Sequence, residues 1–315
     1  MAQADLPIHT NVVPRPLSVG GLSIREDVLF TDAKGQESDR SRKKAEKLLE
    51  DWRGILSGVL EPNEMVFHIV KNCQAPVSAL EQFMLGWHAY GVTATMLVLT
   101  NLRILHLGLT GRGKWKRVLK SVRWGDVAEA KVKGWIGRVL DLKYANGKKD
   151  RYWRVPGRDG RKIKDIVAAV LPASRGEATP AQEMISLCPD CRNALTPQNY
   201  RCKQCGLGFK DEKSLLKWTL LIPGGGYLYS GFIALGIISV LVEGVFTLEA
   251  ILYVLMAAGF VQPSRMQDGS VPARADLWIT AAVFAVIAGL NKTLEYLHGR
   301  RVIRTFLPLK KLGQA

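Results

Sequence analysis

The chain has 315 residues, of which 47% are hydrophobic, and a formal net charge of +16. This length allows two domains of ordinary size, or one domain followed by membrane helices. The charge is concentrated, since residues 101–165 contain nineteen Lys and Arg against six Asp and Glu, a difference of +13. Such a surface attracts anions, whether phospholipid headgroups, nucleic acid or an acidic partner. The first residues, Met1-Ala-Gln-Ala-Asp-Leu-Pro, lack the basic and apolar regions of a cleavable signal peptide, so we expect the first half to remain in the cytoplasm.

The first 60 residues change character near Ser38. Residues 1–37 contain three prolines and a Gly-Gly pair without periodicity, which predicts an irregular segment. Residues 38–60 show apolar side chains at steps of three and four, which predicts an amphipathic helix with Ser38 or Asp39 as its N-cap. The apolar positions are Ala45, Leu48, Leu49, Trp52, Ile55 and Leu56.

Residues 61–172 form the next predicted domain, made of several antiparallel strands and one C-terminal helix. The strand signals cover Met65–Val70, Ala89–Thr100, Leu102–Leu107, Trp115–Trp124, Val139–Tyr144 and Arg151–Val155. The last two flank Asn146-Gly147, a strong hairpin signal. Apolar residues at helical spacing predict a helix over Asp159–Leu171, stopped by Pro172.

The order of three short stretches resembles the bacterial PH-like domains. These are Val98–Leu105 (Val-Leu-Thr-Asn-Leu-Arg-Ile-Leu), Lys120–Val127 (Lys-Ser-Val-Arg-Trp-Gly-Asp-Val) and Asn146–Lys148, followed by the closing helix. In that family a strand ending in Thr-x-x-Arg precedes a strand and turn of the form Lys-Ser-(Ile/Val)-Pro-Tyr-x-Asp-Ile, and Trp124-Gly125 departs mildly from it. The resemblance covers about Glu61 to Pro172. It implies a small β-barrel or bent sandwich capped by a helix, and it implies no chemistry.

The stretch Gly108–Lys114 fits G-x-x-x-x-G-K, the start of a phosphate-binding loop. The next residue is Trp115, where Ser or Thr would bind Mg²⁺, and a strand pattern follows in place of a helix. We therefore predict a basic hairpin loop without a nucleotide site.

Four cysteines form the strongest motif, after a predicted linker at residues 173–185. Within residues 186–210, two C-x2-C pairs separated by ten residues predict a short zinc ribbon. The predicted ligands are Cys188, Cys191, Cys202 and Cys205. Four thiolates suit a closed tetrahedral site for structural Zn²⁺. Gly206 after the second pair, and Asn193 after the first, allow the positive φ that a knuckle requires. Two disulfides, or a redox C-x-x-C, are the alternatives.

Residues 213–299 are predicted to form transmembrane helices, and residues 300–315 are predicted to form a basic tail. Between Leu215 and Val261 the only formal charges are Lys217, Glu243 and Glu249. The segment Pro223–Gly231 resembles the P-G-x-G-x-x-Y-x-G motif of small bacterial membrane proteins of the TM2-like kind. The simplest count is three spans, over about Tyr227–Val245, Thr247–Gln262 and Leu277–Leu297. A buried core of a soluble domain is the alternative.

The predicted topology contains a conflict. Basic residues at the ribbon side and in the tail place both ends in the cytoplasm by the positive-inside rule, which requires an even number of spans. The stretch before Pro223 would have to contribute a span, or the last helix would have to lie on the surface. The spacing of Glu243 and Glu249 places them at a hairpin tip between spans.

The predicted fold class is thus an α+β soluble region with a PH-like barrel or sandwich, a short zinc ribbon and an all-α transmembrane region. No catalytic constellation appears, and the histidines, among them His68, His88 and His106, are scattered. We predict a non-enzymatic adaptor in a bacterial inner membrane, with its PH-like domain and ribbon in the cytoplasm. We expect a protein partner, with anionic lipid headgroups as a further ligand. A membrane-tethered nucleic-acid binder is the alternative, and a transporter subunit would need more polar residues within the spans.

Overall fold

The computed structural model describes residues 16–19, 21–31, 36–76, 93–134, 138–174, 179–263 and 271–309. The chain forms two compact units, Met1–Leu207 and Gly208–Ala315. The first unit contains a large, mainly antiparallel sheet with helices, and the second is helical.

The first unit contains ten strands and three α-helices among its described residues. They are β1 (Pro16–Val19), β2 (Leu22–Arg25), α1 (Glu26–Leu29), α2 (Asp39–Val59), β3 (Met65–Gln74), β4 (Ala94–Thr100), β5 (Arg103–Leu109), β6 (Trp115–Arg123), β7 (Val127–Lys133), β8 (Arg138–Tyr144), β9 (Lys149–Val155), α3 (Gly157–Ala173) and β10 (Ile185–Leu187). The main strand order is β10-β6-β5-β4-β3-β9-β8-β7. Its neighbours are antiparallel, whereas β2 joins β3 in parallel.

The strands β4 and β5 are buried along their whole length. Their side chains alternate between two hydrophobic cores, because successive residues of a strand point to opposite faces. Met96 and Val98 belong to the core shared with α2, while Leu97 and Leu99 belong to the core shared with β8, β9 and α3. Burial on both faces explains why these strands are almost continuously apolar.

Helix α2 confirms the amphipathic helix predicted from residues 38–60. Ser38 is its N-cap, and the Ser38 hydroxyl accepts a hydrogen bond from the Ser41 amide at 3.2 Å. Its buried residues, Leu49, Trp52, Leu56 and Val59, contribute to the first core.

The Thr-x-x-Arg stretch forms the tight β4–β5 connection. The Thr100 hydroxyl donates to the Glu64 carboxylate at 2.8 Å and accepts from the Arg103 amide at 3.0 Å. The Arg103 guanidinium binds both oxygens of Glu64, at 2.9 and 2.8 Å. Trp124 donates its indole N–H to the Thr100 carbonyl at 2.8 Å. These residues satisfy one another's polar groups in a buried corner, which gives the motif a structural role.

The strands predicted in residues 61–155 are confirmed, and most of their ends lie within two residues of the predicted ones. Residues 89–92 of the second predicted strand lie outside the described residues. Asn146-Gly147 forms the predicted hairpin turn, with Gly147 at φ 84°. The prediction missed β7 and β10. It also assigned irregular structure to residues 1–37, where β1, β2 and α1 form because Leu22, Ile24 and Phe30 enter the first core.

Pro172 does not stop helix α3, which extends to Ala173. Pro172 has no backbone N–H to donate to the carbonyl four residues earlier, so it weakens the last turn, and the helix ends one residue beyond it.

The second unit contains helices α4 (Glu212–Leu221), α5 (Gly225–Ser230), α6 (Ile233–Ala258) and α7 (Arg274–Ile303). Helices α6 and α7 are long and apolar enough to cross a membrane. Only 22% and 11% of their most apolar windows are buried, and large side chains such as Leu241 and Leu248 are exposed. A core helix of a soluble domain would instead be mostly buried.

The expected count of three spans is wrong for the described residues, which contain two candidate spans. The predicted spans Tyr227–Val245 and Thr247–Gln262 fall largely within one continuous helix, α6, because no Gly-Pro break separates them. Glu243 and Glu249 therefore lie inside a helix and not at a hairpin tip. Two spans also remove the conflict with the positive-inside rule, which required an even number.

Close backbone packing explains the glycines of the segment Pro223–Gly231. Gly224 has φ 65°, and a methyl group on it would lie 2.3 Å from the Gly236 carbonyl oxygen. A methyl group on Gly225 would lie 2.0 Å from the Trp218 carbonyl oxygen. These two positions therefore require glycine for steric reasons, because the obstructing atoms are backbone.

We predict that Gly225→Ala lowers the thermal stability of the purified protein in detergent by several degrees. The added methyl group must displace the α4 backbone, and such overpacking costs about 1–3 kcal/mol. Gly244→Ala is the matched control, because nothing lies within 4 Å of a methyl group at that position of α6. A Gly225→Ala protein as stable as the Gly244→Ala protein would contradict the packing described here.

Candidate metal centre

The four predicted ligand cysteines come together at the edge of the first unit's sheet. Strand β10 pairs with β6 and leads directly into Cys188. An antiparallel bridge between Leu187 and Ala194 closes the first turn behind it. The first C-x2-C pair is thus fixed to the main sheet by backbone hydrogen bonds.

The two C-x2-C turns have the same hydrogen-bond pattern. In the first, the Arg192 amide donates to the Cys188 carbonyl at 2.9 Å, and the Cys188 amide donates to the Asn193 carbonyl at 2.9 Å. In the second, the Gly206 amide donates to the Cys202 carbonyl at 3.0 Å, and the Cys202 amide donates to the Leu207 carbonyl at 2.8 Å. Two such turns facing each other form the ligand frame of a zinc ribbon.

The sulfur positions fit one tetrahedral ion. All four Sγ atoms lie within 4.8 Å of one another, with Cys188–Cys205 and Cys191–Cys202 at 3.5 Å. Zn–S bonds of about 2.3 Å place tetrahedral sulfurs roughly 3.8 Å apart. A disulfide requires about 2.05 Å, so these distances favour a shared metal over two disulfides.

The residue after each pair, and not Asn193, has the positive φ. Arg192 has φ 63° and Gly206 has φ 74°. Arg192 occupies the position that Gly206 occupies in the second turn. The prediction of a positive φ at Asn193 was therefore wrong by one residue. Asn193 instead donates its side-chain amide to the Cys191 sulfur at 3.5 Å. Burial would raise the pKa of the Cys191 thiol, but hydrogen bonds from Asn193 outweigh it and lower that pKa to about 6, which favours the thiolate that a metal binds.

Two arginines hold the first C-x2-C turn on the rest of its unit. Arg117 of β6 forms an ion pair with Asp190, between the two cysteines. Arg192 donates to the Leu60 carbonyl, at the end of α2, at 3.0 Å. Cys188 is buried in this arrangement, whereas Cys205 is exposed.

The remaining candidate residues show packing roles. Cys73 is buried in the second core, and burial raises the pKa of its thiol to about 12. The buried His68 ring lies 3.2 Å from Asp159, and His106 lies 3.1 Å from the Tyr152 hydroxyl. His88 lies outside the described residues. Gly108–Lys114 spans the end of β5 and the turn before β6, as predicted for a hairpin loop.

The basic residues of the segment 101–165 include two groups on different strands of the sheet. Lys116, Lys120 and Arg123 lie on β6, while Lys131 and Lys133 lie on β7, at the other end of the strand order. Lys116 is half-buried, and burial lowers its pKa to about 8. The high positive charge of this segment is therefore not gathered on a single basic surface.

A buried polar cluster in the second unit was missed from the sequence. Glu243 of α6 forms an ion pair with Lys292 of α7 at 2.6 Å and accepts the Gly224 amide at 3.1 Å. Glu295 accepts the Gly226 amide at 3.2 Å and a hydrogen bond from the Ser239 hydroxyl. The two carboxylates thus bind amides at the start of α5. Irregular backbone at membrane depth requires such partners, so we assign the cluster a structural role.

No protein-family model matches the chain, and no curated protein matches its sequence. Its resemblances to PH-like domains and to TM2-like proteins thus remain predictions from short motifs.

We predict that the purified protein contains about one equivalent of zinc, measured by elemental mass spectrometry. Cys202→Ser should lose the metal and increase hydrogen exchange in residues 185–207, because metal binding and folding of such sites are coupled.

Cys73→Ala is the control, since Cys73 belongs to the second core and should leave the zinc content unchanged. A folded, metal-free ribbon, or a mass that shows two disulfides, would contradict the zinc site.

Proposed function

We propose that the protein is a membrane-anchored, non-enzymatic adaptor of the bacterial inner membrane. It presents a cytosolic PH-like domain and a structural zinc ribbon to a protein partner, to the anionic membrane surface, or to both. The observation that carries the proposal is the combination in one chain of a cysteine cluster fitted for a closed metal site with two long, lipid-compatible helices.

The layout of the first unit supports the PH-like assignment. Seven antiparallel strands, β3 to β9, precede helix α3, which packs against β3, β7 and β8. The Thr100–Arg103 corner and Trp124 occupy the positions that the family motif implies and contact each other there. PH-like modules of this kind act by binding, which agrees with an adaptor.

The charge distribution supports a cytoplasmic ribbon. Lys213 and Lys217 lie in α4 before the first candidate span, and Arg300, Arg301 and Arg304 lie at the end of the second. With two spans both groups are on one side, which the positive-inside rule makes the cytoplasm. The short segment Pro223–Gly231 matches the TM2-like motif at this same end of the spans.

The chemistry of the described residues favours binding over catalysis. The four cysteines form a closed set without a free ligand position, which is the arrangement of structural zinc sites. The buried pairs His68–Asp159 and His106–Tyr152 are enclosed in the protein interior. A catalytic acid or base must instead reach a substrate.

We predict that the full-length protein stays in the membrane pellet after washing with carbonate and with high salt. Burial of two apolar helices in lipid does not depend on charge, so neither treatment weakens it. A fragment ending at Leu207 should appear in the supernatant and serves as the control. Extraction of the full-length protein by carbonate would contradict the membrane anchor.

A membrane-tethered nucleic-acid binder is the second candidate, because residues 101–165 carry a charge difference of +13. We predict that the fragment ending at Leu207 prefers anionic vesicles to duplex DNA in a competition at physiological salt. Any DNA binding should be weak and independent of sequence, since it would depend on phosphate contacts alone. If DNA wins and the protein distinguishes between sequences, the nucleic-acid binder replaces the adaptor.

A further inference from the structure

In the part of the first unit that the structure describes, one face of strands β7, β8 and β9 is largely exposed. Strands β7, β8 and β9 turn one face inward, where Leu140, Leu142 and Tyr152 join the second core. Their other face is open, whereas β4 and β5 are buried on both faces. We call the open side the outer β7–β9 face, formed by Glu129, Lys131, Lys133, Val139, Asp141, Lys143, Lys149, Arg151 and Trp153.

The register of the strands gathers positive charge on this face. Lys131, Asp141 and Arg151 are directly paired across the three strands, and Glu129, Lys143 and Lys149 form the next row. Asp141 binds Lys133 at 3.0 Å and Arg151 at 2.8 Å, so its charge is balanced within the face. Five cations against two carboxylates leave a formal charge of +3.

A tryptophan is exposed among these charges. Trp153 retains 37% of its surface, and the Arg151 guanidinium lies 5.5 Å from its ring centroid. Tryptophan is enriched at the headgroup level of membranes, where its ring meets both apolar and polar groups. A stacking site for nucleic acid uses several aromatic side chains in succession, and the described part of this face offers one.

We propose that the outer β7–β9 face rests on the anionic surface of the membrane that holds the chain. Its lysines and arginine contact lipid phosphates, and Trp153 enters the headgroup layer. This inference rests on the proposed membrane anchoring and adds to it the face of the protein that makes the contact.

Because the chain is attached to the membrane, a face with weak affinity for anionic lipid is sufficient for contact with the bilayer. Each Lys or Arg close to an anionic leaflet strengthens binding roughly five-fold. A face with a few net charges would bind free vesicles poorly, but attachment of the same chain to the bilayer makes the contact intramolecular and raises the effective concentration of headgroups. The side chains also lie in rows across a three-stranded sheet face, which suits a planar layer of charge better than a single headgroup.

The test uses the full-length protein with the photocrosslinking residue p-benzoylphenylalanine at position 153. The protein is reconstituted in vesicles of phosphatidylcholine alone or of phosphatidylcholine mixed with phosphatidylglycerol, and lipid adducts are measured by mass spectrometry. We expect the adduct yield to be roughly five-fold or more higher in the mixed vesicles, and to fall at high salt because screening shortens the range of the charges.

Charge variants identify the surface. The triple variant Lys131→Gln, Lys143→Gln and Lys149→Gln should reduce the yield in mixed vesicles to the level in phosphatidylcholine. The matched control Lys43→Gln, Lys44→Gln and Lys47→Gln removes the same charge from exposed positions of α2 and should leave the yield unchanged. Equal yields in both vesicles, or equal effects of the two triple variants, would overturn the proposal. Adducts mainly with a second copy of the chain would also overturn it, in favour of self-association.

Flotation separates this proposal from the proposed function. Protein that fails to float with phosphatidylcholine vesicles lacks a membrane anchor, and the proposed function then fails. Protein that floats with both vesicles but shows no dependence on anionic lipid keeps its anchor, and only the assignment of the outer β7–β9 face fails.

Discussion

Burial of the central strands on both faces is the constraint on which the first unit depends. Strands β4 and β5 alternate apolar side chains between two cores, so neither face can meet water. Helix α2 and strand β2 cover one face, and β8, β9 and helix α3 cover the other. The elements further from β4 and β5 do not have to be buried on both faces. The outer face of β7–β9 therefore carries charged side chains, and the C-x2-C turns beside β6 carry the four cysteines.

Local signals predicted much of this unit. The Ser38 cap with its apolar spacing, the turn at Asn146-Gly147 and the two C-x2-C pairs each depend on neighbouring residues, and each is confirmed. Strands β7 and β10 were missed for a different reason. Strand β7 has only Ala and Val as apolar residues, and its face is fixed by pairing with β8. Strand β10 has three residues and exists because it pairs with β6, more than 60 positions earlier.

The helical unit shows the same limit more sharply. The spacing of Glu243 and Glu249 suggested a hairpin tip between two spans, whereas both residues lie inside α6. Glu243 is paired with Lys292 of α7 and with the Gly224 amide. Those partners come from two other elements, so no local pattern could reveal them. The unusual glycines and the intramembrane charges thus explain each other. The tight turn before α5 leaves the amides of Gly224 and Gly226 without helical partners, and the carboxylates of Glu243 and Glu295 accept hydrogen bonds from them.

The two C-x2-C turns share one hydrogen-bond pattern but contact the rest of the first unit differently. The first is fixed by β10, by Arg117 to Asp190 and by Arg192 to Leu60. In the second, the Arg201 guanidinium donates to the Gly206 carbonyl at 3.2 Å, a contact between residues close in sequence. An ion bound by all four cysteines would tie the second turn to the first through Cys202 and Cys205. The conformation of the last residues of the first unit, up to Leu207, would then depend on the metal.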